Sequence, residues 1–239
     1  PSGAVEVARL DLASLDSIRE FAGGFLKAHD RLDLLIANAG VMMPPEKNAT
    51  ADGFELQMGT NHLGHFALVG LLQKRLVATK GSRVVVVSSM AHKYGTIDID
   101  DLNWESRPYA RMKSYGQSKL ANLLFAYELQ RRLEQAGADT IVAAAHPGWT
   151  ATNLQRDAGL FRLLNPLLAM KPWQGALPTL YAATAPDVKG GDYYGPGGFQ
   201  EMRGYPSKVV SIPESHDENM AARLWQTSEQ LTGVTYEAP

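Results

Sequence analysis

Short apolar runs alternate with longer amphipathic segments along most of this chain. The apolar runs, which are typical of strands, lie at 5–10, 33–37, 84–87 and 141–145. One segment with helical spacing begins after Ser14, which is a good N-cap, and two further helical segments cover 53–77 and 114–133. Strands that alternate with helices in this way predict βαβ units. The expected fold class is therefore α/β, a doubly wound parallel sheet between two layers of helices.

Polar residues or glycines follow each of the strand-like runs. Asp11 follows the first run, Asn38 the second, Ser88 and Ser89 the third, and His146 the fourth. Because the carboxyl ends of parallel strands share one edge of a sheet, these residues are expected to meet where ligands bind. Each residue taken alone is better explained as an ordinary turn residue. The glycine-rich piece 190–198 is interpreted as a surface loop.

Composition narrows the classes of function. The 239 residues carry 23 Lys and Arg against 25 Asp and Glu, a net charge of -2, so no basic footprint for nucleic acid is present. The absence of cysteine excludes thiol nucleophiles, Cys-ligated zinc and a disulfide scaffold. No apolar run is long enough for a membrane span, and no secretory signal is recognisable. We expect a single cytoplasmic domain over 1–239.

One pair of residues has specific chemical potential. Tyr115 and Lys119 are four positions apart in a helical segment, so their side chains leave the same face. A nearby ammonium favours the ionised form of a phenol, and we therefore expect Lys119 to lower the pKa of Tyr115 towards the range of acid and base catalysis. By itself the spacing is a weak signal, since any long helix can present such a pair.

The order of six motifs makes the signal specific. In chain order they are Asp11-Leu12, Asn38-Ala39-Gly40, Asn61, Ser88-Ser89, Tyr115-x-x-x-Lys119 and Pro147-Gly148-x-Thr150-x-Thr152. This series resembles the short-chain dehydrogenase/reductase family, from about residue 5 to residue 155. The stretches 59–66, 99–104 and 115–125 are similar to its retinol-dehydrogenase-like branch. The resemblance implies a Rossmann-type fold and an oxidoreductase that interconverts a carbonyl and an alcohol by hydride transfer.

The resemblance also implies catalytic roles. Tyr115 would be the general acid in reduction and the base in oxidation, and Lys119 would bind the nicotinamide ribose. Ser89 would orient the substrate oxygen, with Ser88 as the alternative. Asn61 would hold a water that links Lys119 to solvent. These groups supply position and a proton, while the hydride chemistry belongs to the cofactor.

The expected cofactor is NADP(H), which that branch often uses, with NAD(H) as the alternative. Besides Tyr115 and Lys119, the residues implied to bind it are Asp11, Leu12, Asn38, Ala39, Gly40, Pro147, Gly148, Thr150 and Thr152. The expected partner is a small carbonyl or alcohol substrate, and a homodimer or homotetramer would form through the helices of Asn61 and Tyr115. The apolar segment 160–170 would either pack in the core or cover a hydrophobic substrate.

One family feature is absent from the sequence. The glycine-rich turn T-G-x-x-x-G-x-G, which seats the cofactor's pyrophosphate on a helix N-terminus, does not occur. We therefore expect two β-α units to precede Pro1. Within the domain, 1–152 would form the cofactor-binding and catalytic core, and 153–239 the substrate-covering segment and the last sheet elements.

Two alternatives remain at this stage. The missing glycine-rich turn can also be interpreted as the sign of a dehydrogenase-like interaction module that no longer binds dinucleotide. Such a module, however, has no need for Asn61, Ser89, Tyr115 and Lys119 together. His62 and His65 are three apart on a helix, but without a third ligand they favour local hydrogen bonding over a metal site.

Overall fold

The computed structural model describes residues 3–150 and 169–237, which form one central sheet with helices on both faces. The strands are β1 (Leu34–Ala37), β2 (Arg83–Val87), β3 (Ile141–Ala145), β4 (Tyr193–Pro196) and β5 (Pro206–Lys208). The helices are α1 (Leu15–Ala28), α2 (Leu56–Met58), α3 (Gly64–Ala78), α4 (Arg111–Gln135), α5 (Pro172–Thr184) and α6 (Glu218–Thr232). A π-helical turn, Gly59–Leu63, joins α2 to α3, and 3-10 helices cover Met90–Tyr94, Ile99–Asp101, Phe199–Glu201 and Pro213–His216.

The five strands lie in the order β1-β2-β3-β4-β5. The first four are parallel, with Ala37 beside Val86 and Val87 beside Ala145, and β5 is antiparallel to β4. The parallel strands therefore end at the same edge, as expected for this fold.

The sheet is covered on both faces because its central strands are apolar on both. Val84 and Val86 pack with α3, α4 and Trp225 of α6 on one face. Val85 packs with α5 on the other. This alternation is the three-layer arrangement that continuous apolar strands predict, and it confirms the α/β class.

Three predictions about elements were wrong. Residues 5–10 form no strand: Val5 and Val7 are 88% and 95% exposed, and no neighbouring strand pairs with this segment in the described part of the chain. Without a neighbouring strand, the backbone N–H and C=O groups of this segment have no hydrogen-bond partners other than water. This explains why residues 5–10 do not form a strand. The piece 190–198 contains β4, because Tyr193 and Tyr194 are buried in the sheet rather than exposed in a loop. The sheet is mixed rather than wholly parallel, since β5 runs antiparallel to β4 after a connection over 197–205 that contains the 3-10 helix Phe199–Glu201.

Candidate active site

The parallel strands deliver polar side chains to one edge of the sheet, as the sequence predicts. Ser88 and Ser89 follow β2, and His146 follows β3. The buried Ser88 hydroxyl donates to the backbone oxygen of Lys119 at 2.8 Å, so it fastens β2 to α4. Ser89 is only half-buried and hydrogen-bonds the phenol of Tyr115. Of the two serines, Ser89 is therefore the one beside the titratable group.

Tyr115 and Lys119 lie on the buried face of α4, where both side chains are at least 95% covered. The ammonium nitrogen Nζ of Lys119 is 5.8 Å from the centre of the Tyr115 ring and donates to the Val87 carbonyl at 3.1 Å. Burial disfavours charge on both groups. It lowers the pKa of Lys119 to about 8 and raises the pKa of Tyr115 to about 12, although the hydrogen bond from Ser89 lowers the latter.

The expectation that Lys119 lowers the pKa of Tyr115 is thus wrong for this structure. Desolvation of the phenol is the largest cause of the raised pKa and outweighs the hydrogen bond with Ser89, while the ammonium lies over the ring, 5.8 Å from its centre. At neutral pH Tyr115 is a neutral proton donor. That state suits the protonation of a carbonyl oxygen.

The backbone at Ser89 is held by a buried histidine that sequence reasoning did not single out. His92 Nδ1 donates to the Ser89 carbonyl at 2.6 Å, and its Nε2 accepts from the Ile212 amide at 3.4 Å. Both partners require the neutral ring with its proton on Nδ1, and burial lowers the pKa of His92. Nearby, His146 Nε2 lies 3.1 Å from Glu201 Oε2, and its Nδ1 accepts from the Gly148 amide at 3.2 Å.

Asn61 lies in the π-helical turn between α2 and α3, the kind of irregular turn that is frequent at functional sites. Its Oδ1 accepts from the Val41 amide at 2.8 Å, and its Nδ2 donates at 2.9 Å to both the Val41 carbonyl and the Ser118 hydroxyl. The backbone oxygen of Asn61 accepts from His65 Nδ1 at 2.9 Å. Asn61 thus links the loop after β1 to α4. Its role in holding a relay water stays a prediction.

His62 and His65 have separate partners. His65 makes the local helix bond to Asn61, as expected, and burial lowers its pKa to about 4. His62 Nε2 lies 2.9 Å from the Ser228 hydroxyl of α6, and burial lowers its pKa to about 3. Both rings are neutral at pH 7 and belong to the packing around α3.

Of the residues implied to bind the adenine and ribose portions, Asn38, Ala39 and Gly40 follow β1 at the same edge, whereas Asp11 and Leu12 lie just before α1. Asp11 is exposed and accepts from the Ala13 amide through Oδ1, while Leu12 is buried against the start of α3. Asn38 and Ala39 are exposed, and Gly40 is half-buried. A Cβ at Gly40 would lie 2.7 Å from Asn61 Oδ1 and 3.7 Å from Lys119 Nζ. Glycine therefore keeps the space beside the ammonium open.

The Pro147-Gly148 motif forms the turn after β3. Gly148 has φ +64°, and a Cβ there would lie 2.7 Å from the Met202 carbonyl oxygen. Both the backbone conformation and the close contact therefore require glycine. Thr150 is buried and its hydroxyl donates to the Pro147 carbonyl at 2.8 Å. Thr152 and most of the apolar segment 160–170 lie outside the described residues.

These side chains fit the nicotinamide-ribose end of a dinucleotide. An ammonium has three donors, and within the described residues Lys119 Nζ has one protein acceptor, the Val87 carbonyl. Two donors therefore remain for ribose hydroxyls in the space that Gly40 leaves. The fit does not extend to the pyrophosphate, because the sequence contains no glycine-rich turn to receive it.

A cavity of about 540 Å³ shares Met43 and Met112 with the apolar cluster around Tyr115. Its lining is Met43, Tyr94, Ala110, Arg111, Met112 and Lys113. Tyr115 itself packs with Met43, Ala91 and Met112 in an apolar cluster. The cavity is therefore mostly apolar and adjoins the cluster that holds Tyr115, and its lining also includes the cations Arg111 and Lys113.

Comparison with known proteins places these features in context. The family model for short chain dehydrogenase matches residues 2–101. Human retinol dehydrogenase 13 is 44% identical over 246 residues, which cover 98% of this chain and 70% of that protein. Human retinol dehydrogenase 14 is 42% identical over 241 residues, covering 97% of this chain and 68% of that protein.

Solved structures show the same arrangement. A crystal structure of an uncharacterized protein from Mycobacterium Paratuberculosis is 47% identical, with a TM-score of 0.81, and the match covers 98% of this chain and 78% of that one. The Pseudomonas aeruginosa RhlG/NADP complex is 22% identical with a TM-score of 0.58, covering 77% and 72% of the two chains. The latter likeness concerns the fold alone. No helix in the described part of the chain is long and apolar enough to cross a bilayer.

Proposed function

The chain belongs to the short-chain dehydrogenase family and is an oxidoreductase acting on CH-OH groups with NAD or NADP, and from this premise we propose that Tyr115 is its general acid and base. The observation that carries the proposal is the buried group of Tyr115, Lys119 and Ser89 at the carboxyl edge of the sheet. The proposed substrate is an apolar alcohol or carbonyl compound, and the preferred cofactor is NADP(H).

In the direction of reduction, Tyr115 donates its proton to the substrate carbonyl oxygen. With its pKa raised to about 12, the phenol is fully protonated at neutral pH. Ser89 donates a hydrogen bond to the same oxygen and holds it within reach of the phenol. Removal of the proton leaves a phenolate, and the nearby Lys119 ammonium stabilises that charge.

The nicotinamide cofactor, when bound, supplies or takes up the hydride. Lys119 has donors available for the ribose hydroxyls and Gly40 leaves the room for them. In oxidation the same residues act in reverse, with the tyrosinate as base for the alcohol proton. Burial of the phenol opposes that ionised state, so we expect oxidation to need a higher pH than reduction.

The apolar lining of the cavity beside the Tyr115 cluster supports a hydrophobic substrate. Met43 and Met112 flank the phenol, and methionine side chains adapt to apolar ligands of different shapes. The names of the relatives make retinal a suitable probe.

The test is reduction of all-trans-retinal by the full chain with NADPH and, in parallel, with NADH. Tyr115→Phe removes the proton donor and keeps the ring, so we expect loss of turnover by about 10³-fold or more with cofactor binding retained. Tyr127→Phe is the matched control, because Tyr127 lies on the same helix as Tyr115. Its hydroxyl hydrogen-bonds Ser211. Turnover by Tyr115→Phe would exclude the mechanism. Failure of the full-length wild-type protein to bind either cofactor would favour the interaction module instead.

A further inference from the structure

Gln57 is a fully buried amide in α2, one helical turn before Asn61. Its Oε1 accepts from the Met43 amide at 2.7 Å. Its Nε2 donates to the Ser114 hydroxyl at 3.2 Å and to the Arg111 carbonyl at 3.1 Å. One side chain therefore joins the loop after β1 to the first turns of α4, immediately before Tyr115.

Asn61 makes the same kind of bridge four residues later. It binds the backbone of Val41 on one side and the hydroxyl of Ser118 on the other. Ser114 directly precedes Tyr115, and Ser118 directly precedes Lys119. The two amides thus form successive crosslinks between one loop and one helix. Each crosslink ends beside a residue to which we assign a catalytic role.

The Gln57 crosslink is itself held in place. Tyr109 donates to Glu55 Oε1 at 2.9 Å, and its own oxygen lies 2.9 Å from Gln57 Nε2, so the two N–H groups of that amide are shared among three acceptors. Glu55 is 1% exposed and also accepts from the backbone amides of Gln57 and Met58. A buried amide with all its partners in place has a single orientation, because rotation would leave donors and acceptors unsatisfied.

The loop that Gln57 holds is strained at the contact. Met43 adopts φ +48°, a left-handed conformation that costs a non-glycine residue free energy. The hydrogen bond from the Met43 amide to Gln57 Oε1 compensates for that strain. Met43, Ala91 and Tyr115 pack in one apolar cluster. Without the bond, the loop is free to relax away from the phenol.

We propose that Gln57 is a positioning residue for the reaction, which sets the Tyr115 phenol against the strained loop at Met43. The proposal rests on the proposed role of Tyr115. Gln57 hydrogen-bonds Met43 and Ser114 rather than the phenol and does not line the cavity, so it acts through Met43 and Ser114. Its removal is expected to reduce turnover more than binding, since the misplaced group reacts only in the transition state.

The decisive variant is Gln57→Met, which keeps the side-chain length and removes the amide. Reduction of retinal with NADPH is followed for kcat, for the KM of each reactant and for the pH dependence of kcat. We expect kcat to fall about tenfold or more, the KM for NADPH to change less than about threefold, and the pH profile to shift. Gln130→Met is the matched control: this buried amide of α4 accepts from the Val142 amide at 2.6 Å, far along the helix.

A second variant tests the same proposal if Gln57→Met does not fold. Ser114→Ala removes one acceptor of the amide and leaves Tyr109 and Arg111 in place. We expect a smaller loss of kcat in the same direction. A folded Gln57→Met or Ser114→Ala protein with wild-type kcat and pH profile, beside an inactive Tyr115→Phe, overturns the positioning role alone. Activity of Tyr115→Phe would instead overturn the mechanism on which it rests.

Discussion

Gly95 and Gly116 meet backbone to backbone, where the 3-10 helix after β2 crosses the start of α4. A Cβ on Gly116 would lie 2.8 Å from the Gly95 amide nitrogen and 2.7 Å from the Ala91 carbonyl. A Cβ on Gly95 would lie 2.6 Å from the Gln117 amide nitrogen. The segment that follows Ser89 can therefore approach the Tyr115 helix only because neither residue has a side chain.

Gly95→Ala is expected to separate these two segments. The methyl group meets backbone atoms, which cannot rotate away, so Ser89 shifts relative to Tyr115. Overpacking of this kind costs about 1–3 kcal/mol of the free energy of unfolding, and a displacement near 1 Å lowers kcat by about 100-fold. Urea denaturation and retinal reduction measure the two effects.

The control for this prediction is Gly24→Ala. A Cβ at this exposed position in α1 has nothing within 4 Å. Alanine is a better helix former, so stability should rise by about 1 kcal/mol while kcat is unchanged. Equal activity of both alanine variants would show that the contact between Gly95 and Gly116 does not set the catalytic geometry.

Lys119→Met is expected to exchange activity for stability. The folded protein holds the lysine with its pKa lowered from 10.5 to about 8, so burial of the charge destabilises the folded state at neutral pH. The Val87 carbonyl keeps a partner in the variant, because Asn122 Nδ2 donates to it at 3.0 Å. We expect the free energy of unfolding to rise by about 1–3 kcal/mol at pH 7 while turnover is lost.

The pH dependence of that gain identifies its origin. Between pH 8 and 10.5 the unfolded wild-type chain keeps a proton on Lys119 that the folded chain has lost, so wild-type stability rises with pH there. The advantage of Lys119→Met should accordingly be full below pH 8 and vanish by about pH 10.5. Lys27→Met, at an exposed position of α1, should show no such dependence. A constant advantage through pH 10.5 would exclude a desolvation effect.

Retinal reduction should fall as the pH rises through about 8. Below that pH Lys119 is cationic and stabilises the phenolate left by proton transfer, whereas above it the lysine is neutral. Tyr115 remains protonated throughout this range, since its pKa is raised to about 12. Steady-state kcat between pH 6 and 10 measures this decline. Recovery of activity after return to pH 7 is the control for denaturation. A flat profile would contradict the electrostatic role of Lys119.

Much of the site follows from the sequence because strand ends and helix faces obey simple periodicities. Runs such as 84–87 fix where Ser88 and Ser89 emerge, and the spacing of four places Tyr115 and Lys119 on one face of α4. The location of these residues at one sheet edge is a consequence of parallel strands. The family and the α/β class are accordingly confirmed by the structure and the comparisons.

Other features depend on tertiary surroundings that no local pattern reveals. Burial reverses the expected direction of the Tyr115 pKa shift, and only the packed structure shows how completely the phenol is removed from water. The predicted helix over 53–77 contains a π turn at Asn61, and the hydrogen bonds of Gln57 span segments more than fifty residues apart. The strand β4 was missed because Gly195 and Pro196 are poor strand formers in isolation.

His92 offers a final test of how Ser89 is held. The ring joins the Ser89 carbonyl to the Ile212 amide, and the two bonds can be removed separately. The Nδ2 of asparagine occupies roughly the place of Nδ1, so His92→Asn should keep the bond to Ser89, whereas His92→Leu removes both. We expect kcat to fall about tenfold in His92→Leu and clearly less in His92→Asn, with unfolding free energy lowered by about 1–3 kcal/mol in the former. Equal kcat in the two variants would show that the bond from His92 does not position Ser89.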